Sequence, residues 1–406
     1  MLECYFDDFY QFFLKPLAIP RQPMARFSDR ANSIRPTGVR RMFDMAGDDT
    51  VQFGLGEPDF QPPELAIEAF NLAMQQGKNK YTTTAGLPQL REKIANEWSH
   101  LSPNLDQSNV CITMSGTNAL LDVFLAIVNP GDNVLIPEPY FPLYPQHAVI
   151  CGGEPNFYPC DFDNGFVPTI ADLESRINEK TVAILVNFPS NPTGATVSKN
   201  QRDNLVEFAK KNDIWIITDE VYDRIIYNEE HVSFLGAGHD KLFLINSFSK
   251  TFAMTGWRIG YVLSPDSDAM VEINKMQYYV TACSNDAMQY AVLEAMNKAS
   301  DYPSLMCAEF KSRRDLICNR LNAMPGVSCH VPDGAFYVFP KVHVDGYNSE
   351  QLAIAILEKG GVLCSPGSAF GKAGEGHLRF AYTLDEEGIS KGMDRLEEVL
   401  SELRGE

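Results

Sequence analysis

One stretch of this chain places a lysine between hydroxyl side chains, with an arginine eight residues further on: Ser247-Phe248-Ser249-Lys250-Thr251-Phe252-Ala253-Met254-Thr255-Gly256-Trp257-Arg258. The apolar run Leu242-Phe243-Leu244-Ile245 leads into it, and Ile259-Gly260-Tyr261-Val262-Leu263 leads out. The lysine is therefore expected on a short loop between two buried strands, where burial lowers an ammonium pKa and frees a nucleophilic amine. Ser247, Ser249 and Arg258 would suit a phosphate dianion beside it. An amine next to a phosphate cradle is what a pyridoxal phosphate Schiff base requires. Two other readings stand beside this one. The lysine could be a solvated loop residue, or it could belong to the Ser-x-x-Lys pair of penicillin-binding enzymes. That pair needs a Lys-Thr-Gly strand, which the chain does not contain.

The elements that must hold these groups are legible around them. From about Asn109 to Pro265, apolar runs alternate with helical ones: Val110–Thr113, a helix over Asn118–Val128, Val134–Ile136, Val182–Val186, a helix over Gln201–Asn212, Ile214–Ile217 and Leu242–Ile245. Continuous apolar runs predict strands covered on both faces, as in a largely parallel sheet. Trp257–Pro265 is expected to add an edge or antiparallel strand. Helices dominate after about Val271, and the chain closes on an amphipathic helix over Asp385–Leu403. The fold class is α/β: a large domain with a mainly parallel sheet covered by helices, plus a smaller α+β domain. We place the large domain at 57–295 and the smaller one at 24–56 with 296–406.

In such sheets ligands sit at the carboxyl ends of the strands, and the polar clusters of this sequence fall there. Ser115-Gly116-Thr117 opens a helix and can offer hydroxyls and free N–H groups to an anion, or it can be an ordinary N-cap. Asn187-Phe188-Pro189-Ser190-Asn191-Pro192-Thr193-Gly194 is also a common turn composition. Asp219 closes a buried run, a costly position unless the carboxylate is paired; a protonated pyridine nitrogen would pair it, and a helix cap is the plainer use. Arg379 lies in the apolar run His377–Ala381. A buried guanidinium needs an anion, either a carboxylate ligand held by two hydrogen bonds or an internal ion pair.

These segments, in this order, resemble the class I, fold-type I aminotransferases from about Ser28 to the C-terminus. The resemblance implies pyridoxal 5'-phosphate as cofactor and Lys250 as its Schiff-base lysine. It implies a phosphate site of Ser115, Gly116, Thr117, Ser247, Ser249 and Arg258, with Asp219 on the pyridine nitrogen. Tyr222 and Asn191 would meet the phenolic oxygen, Tyr140 would stack on the ring, and Arg379 would clamp the substrate α-carboxylate. Gly54-Leu55-Gly56-Glu57-Pro58-Asp59 and Tyr81-Thr82-Thr83-Thr84-Ala85-Gly86 resemble two further segments. In the family, the glycine at Gly56 lets the carboxylate approach, and the tyrosine at Tyr81 reaches the phosphate of a neighbouring subunit, which implies a homodimer with shared sites. The lysine region and Pro366–Gly371 are most similar to the aspartate/aromatic subgroup. The same site supports carbon–sulfur or cyclopropane-forming lyase chemistry in relatives, and some regulators carry a non-enzymatic copy of the domain.

The resemblance leaves the substrate open between aromatic, broad-range and aspartate donors, with a 2-oxo acid such as 2-oxoglutarate as acceptor. Animal-type aspartate enzymes supply a distal arginine from the stretch matching Tyr278–Tyr290, which here holds no Arg or Lys. Some bacterial relatives use a lysine where this chain has Thr117. N-terminal arginines such as Arg35 remain candidates for a second carboxylate.

Composition sets outer bounds. A net charge of −19 without a basic run argues against nucleic acid and anionic membrane as partners. The nine cysteines are scattered singly, which predicts thiols in a reducing cytoplasm rather than a disulfide framework. No histidine pattern predicts a metal site. Residues 1–23 are aromatic and acidic, unlike an export signal or a membrane span, and read as an extension ahead of Met24-Ala25-Arg26-Phe27, which resembles a natural start.

Overall fold

The computed structural model describes residues 27–34, 38–47, 49–228 and 230–405. The expected extension over residues 1–23, the start at Met24 and Arg35 lie outside them. Residues 27–34 contribute one short helix, Asp29–Ser33, capped by Ser28. Residues 36–406 belong to one compact unit.

The unit is built on a seven-stranded sheet. Its strands are β1 (Val110–Thr113), β2 (Asn133–Glu138), β3 (Glu154–Pro159), β4 (Thr181–Asn187), β5 (Trp215–Asp219), β6 (Leu242–Ser247) and β7 (Gly260–Leu263), in the spatial order β1-β7-β6-β5-β4-β2-β3. Neighbours are parallel except that β7 runs against both β1 and β6. The segment expected as an edge or antiparallel strand is thus antiparallel, and it is internal to the sheet. The strand missing from the sequence reading is β3, a true edge strand. Its residues, Glu-Pro-Asn-Phe-Tyr-Pro, are mostly half-exposed and give no apolar run.

Both faces of the sheet are covered, which explains the unbroken apolar runs. Ile184 and Val186 join the core on one face, whereas Ala183 and Leu185 join the core on the other. Each such fully buried Val, Leu or Ile contributes roughly 1.5–3 kcal/mol of transfer free energy. Helix α1 (Gly116–Ile127) packs on one side, while α2 (Lys199–Lys211), capped by Ser198 and Gln201, packs on the other.

A third apolar core gathers Phe53, helices α3 (Tyr302–Ala323), α4 (Ser349–Gly360) and α5 (Glu386–Arg404), and a three-stranded antiparallel sheet. In that sheet Leu378–Ala381 lies between Tyr337–Val338 and Ser365–Pro366. The last helix begins at Glu386 because the Asp385 carboxylate accepts from Gly388 N–H.

Candidate active site

Strand register brings the polar ends together. Asn187 pairs with Asp219, Ser247 with Gly260, and Gly260 in turn with Thr113. Helix α1 starts at this edge with Ser115 as its N-cap, held at φ 99°, and the Ser115 hydroxyl makes no capping bond. The first turn of a helix has N–H groups without intrahelical partners and a positive dipole end, so it favours an anion. Glycine at 260 is needed for this approach: a Cβ there would sit 2.7 Å from the Gly116 nitrogen. Ser247, Ser249 and Arg258 line the same cavity. Arg258 adopts a left-handed backbone at φ 53°, and its guanidinium donates to the Thr255 carbonyl at 2.6 Å.

Lys250 sits on the single-turn helix Phe248–Thr251 that follows β6. Its Nζ donates to the Gly56 carbonyl at 2.5 Å. Burial lowers its pKa to about 8; Glu57 opposes that shift, and the Arg379 and Arg258 charges add to it. About a tenth of such amines are neutral at pH 7, enough to supply a nucleophile.

Asp219 closes β5 with its carboxyl buried. Burial raises its pKa to about 6, against hydrogen bonds from the Tyr144 hydroxyl and the Val221 N–H. The Tyr144 hydroxyl donates to Oδ2 at 2.8 Å. Asn187 Nδ2 donates to the Asp219 carbonyl at 2.9 Å, and Asn187 Oδ1 accepts from Asn191 N–H at 2.9 Å. One scaffold thus fixes both Asp219 and Asn191. A protonated ring nitrogen is a fitting partner for a carboxylate held this way.

Arg379 is the most unusual group in the cavity. It is 4% exposed, with its guanidinium 4.9 Å from the centres of both the Tyr337 and Phe370 rings. It donates to Asn191 Oδ1 and Ser365 Oγ, each at 3.2 Å, and to the Gly54 carbonyl. Among the described residues it has no carboxylate partner, and its Nε is buried without an acceptor. A buried cation left so costs several kcal/mol, and a carboxylate ligand would remove that cost. Because Asn191 Oδ1 accepts from Arg379, the Asn191 amide hydrogens are left to donate into the cavity.

The cavity, about 300 Å³, brings together Gly56, Ser115, Gly116, Thr117, Asn191, Asp219, Tyr222, Ser247, Ser249, Lys250, Arg258 and Arg379. Two expected residues are elsewhere. Tyr140 stacks on Phe157 at 5.0 Å and lines a separate cleft. The aromatic that reaches the cavity is its neighbour Phe141. Tyr81 is 89% exposed and does not line this cavity. Sequence reasoning missed Tyr144 and Tyr337, whose hydroxyls meet Asp219 and Tyr222.

An anion cradle, a buried carboxylate and a lysine of lowered pKa in one cavity, on a parallel α/β sheet, fit a pyridoxal phosphate enzyme. The orphaned Arg379 adds a place for a carboxylate substrate. Comparison with known proteins agrees. Residues 48–396 match the family described as aminotransferase class I and II. The chain is 35% identical to an aspartate aminotransferase of Pyrococcus horikoshii over 379 residues, covering 92% of this chain and 97% of that one. It is 34% identical over 384 residues to an aromatic-amino-acid aminotransferase 2 of Thermococcus litoralis, covering 92% and 98%. The solved aspartate aminotransferase of Thermus thermophilus with maleate superposes with a TM-score of 0.88 at 32% identity, covering 93% and 100%. The chain belongs to the class I and II aminotransferases, and its cofactor is pyridoxal phosphate.

Proposed function

We propose that this aminotransferase moves an amino group from an aromatic or broad range of L-amino acids to a 2-oxo acid such as 2-oxoglutarate, with Lys250 as the Schiff-base lysine. The observation that carries the reading is Arg379, a buried guanidinium without a counterion among the described residues, in the same cavity as the Lys250 amine. When bound, pyridoxal phosphate supplies an electron sink for charge developing at the substrate Cα.

The chain's own residues do the rest. Ser115, Thr117, Ser247, Ser249, Arg258 and the Gly116 N–H hold the phosphate. Asp219, steadied by Tyr144, keeps a proton on the ring nitrogen. Asn191 and Tyr222 donate toward the phenolic oxygen, and Phe141 covers the ring. Arg379 clamps the α-carboxylate, with Gly56 leaving room beside it. The neutral Lys250 Nζ would take the proton from the substrate Cα and hold it as an ammonium for return.

Among the described residues, the cations lining the cavity are Lys250, Arg258 and Arg379, and each has a use in this scheme. The side-chain pocket therefore makes no fixed demand for a second carboxylate, and Leu55 and Phe141 favour apolar donors. The named relatives include both aspartate and aromatic enzymes, so the donor range is the point to test. A panel of amino donors against 2-oxoglutarate should give phenylalanine or tyrosine a kcat/KM at least comparable with aspartate. A thousandfold preference for aspartate, about 4 kcal/mol, would overturn this reading.

The exposed Tyr81 supports a homodimer in which it completes the partner's phosphate site. The third core, drawn mostly from residues after 296 and joined by Tyr222, Ile225 and Ala253, supports a smaller domain built from 24–56 and 296–406 beside a large domain over 57–295. Singly scattered cysteines support a cytoplasmic protein. Among the described residues, no helix is long and apolar enough to cross a membrane.

A further inference from the structure

Tyr337 has no part in the scheme so far, yet it lines the cavity. The side chain is 1% exposed. Its ring lies under the Arg379 guanidinium, 4.9 Å from centre to carbon, and its hydroxyl is 2.8 Å from that of Tyr222. The same hydroxyl lies so close to Gly56 that a Cβ there would meet it at 1.9 Å. Glycine at 56 therefore makes room for Tyr337 as well as for a ligand.

Each of the two hydroxyls has one hydrogen. If Tyr222 gives its hydrogen to a group in the cavity, the contact between the tyrosines survives only when Tyr337 donates to Tyr222 Oη. Arg379 favours that direction, because a cation against the Tyr337 ring makes its hydroxyl the better donor. Burial raises the pKa of both phenols, and the Arg379 charge opposes that rise, standing second among the causes only for Tyr337. A hydroxyl that accepts a hydrogen bond becomes a stronger donor in turn.

We propose that Tyr337 is a positioning residue whose hydroxyl donates to Tyr222 and strengthens the hydrogen bond that Tyr222 gives into the cavity. The proposal rests on the reading above, in which Tyr222 meets the cofactor's phenolic oxygen. That oxygen carries more negative charge when the bound cofactor is deprotonated, so a strong Tyr222 donor favours the deprotonated form and lowers the pH of its colour change. Loss of the Tyr337 hydroxyl should raise it.

The test is a spectroscopic pH titration of holoenzyme carrying Tyr222→Phe, Tyr337→Phe or both. Tyr337→Phe keeps the ring under Arg379, so packing is preserved. Tyr337→Phe should give an upward shift of roughly 0.1–0.7 unit, the 10–30% that one relayed hydrogen bond adds to a charged one. In the Tyr222→Phe background the same change should shift nothing further, a coupling that a merely structural role would not show. If Tyr222→Phe moves the transition but Tyr337→Phe leaves it in place, lowers it, or shifts it equally in both backgrounds, the proposal fails alone. If Tyr222→Phe moves nothing, the reading of Tyr222 fails and takes the proposal with it.

Discussion

The two walls of the cavity are made in different ways. On the cofactor side, Ser115–Thr117 and Ser247–Arg258 are short local segments at strand ends, and their donors are hydroxyls, backbone N–H groups and the Arg258 guanidinium. On the substrate side, Arg379 comes from the small antiparallel sheet and is held by Asn191, Gly54 and Ser365, residues far apart in sequence. The first wall is partly open and asks for an anion through geometry. The second is closed, and it asks through an uncompensated charge. A site divided this way can keep one cofactor chemistry while changing what the second wall accepts.

The largest effect should come from the group between the walls. Lys250→Ala should reduce transamination to background in a coupled assay, while the phosphate wall still retains some cofactor noncovalently. Retained turnover would mean that neither wall is organised around this amine. Next comes Arg379→Lys. It removes a planar fork common to every α-carboxylate, so kcat/KM should fall roughly 10- to 100-fold for all donors alike, the weight of a hydrogen bond to a charged group. A loss confined to one donor would place Arg379 in side-chain selection instead.

The phosphate wall should respond differently. If Tyr81 completes the site of a second copy as proposed, Tyr81→Phe should speed cofactor release by the loss of one charged hydrogen bond, roughly 1.5–3 kcal/mol, with donor preference unchanged. An unaltered off-rate would show that this wall is complete within one chain. The smallest effect is a pH dependence. Burial depresses the Lys250 pKa to about 8, and only the neutral amine attacks an aldehyde, so the active fraction grows as pH rises. Cofactor uptake by cofactor-free protein should increase about tenfold from pH 7 to 9 and then level off. A rate still climbing tenfold per unit above pH 9 would indicate an ordinary lysine.

The same contrast explains what could be read from the sequence. Serine, lysine and arginine within twelve residues announce themselves locally, as do Ser115–Thr117 and Asp219 at the ends of apolar runs. Tyr337 lies 115 residues from Tyr222, and Tyr144 lies 75 from Asp219; no local pattern predicts such contacts. Sequence alone does not tell which of Tyr140 and Phe141 faces the cavity, because the segment between Pro139 and Pro142 is neither strand nor helix. It offers no period from which to count faces. Strand β3 escaped because an edge strand half in water needs no apolar run.

The central claim is that Lys250 carries the cofactor at the junction of the two walls. Borohydride reduction of the holoenzyme followed by peptide mapping tests it directly. The account predicts one pyridoxyl label per chain, on the peptide containing Lys250. A label on any other lysine would contradict it.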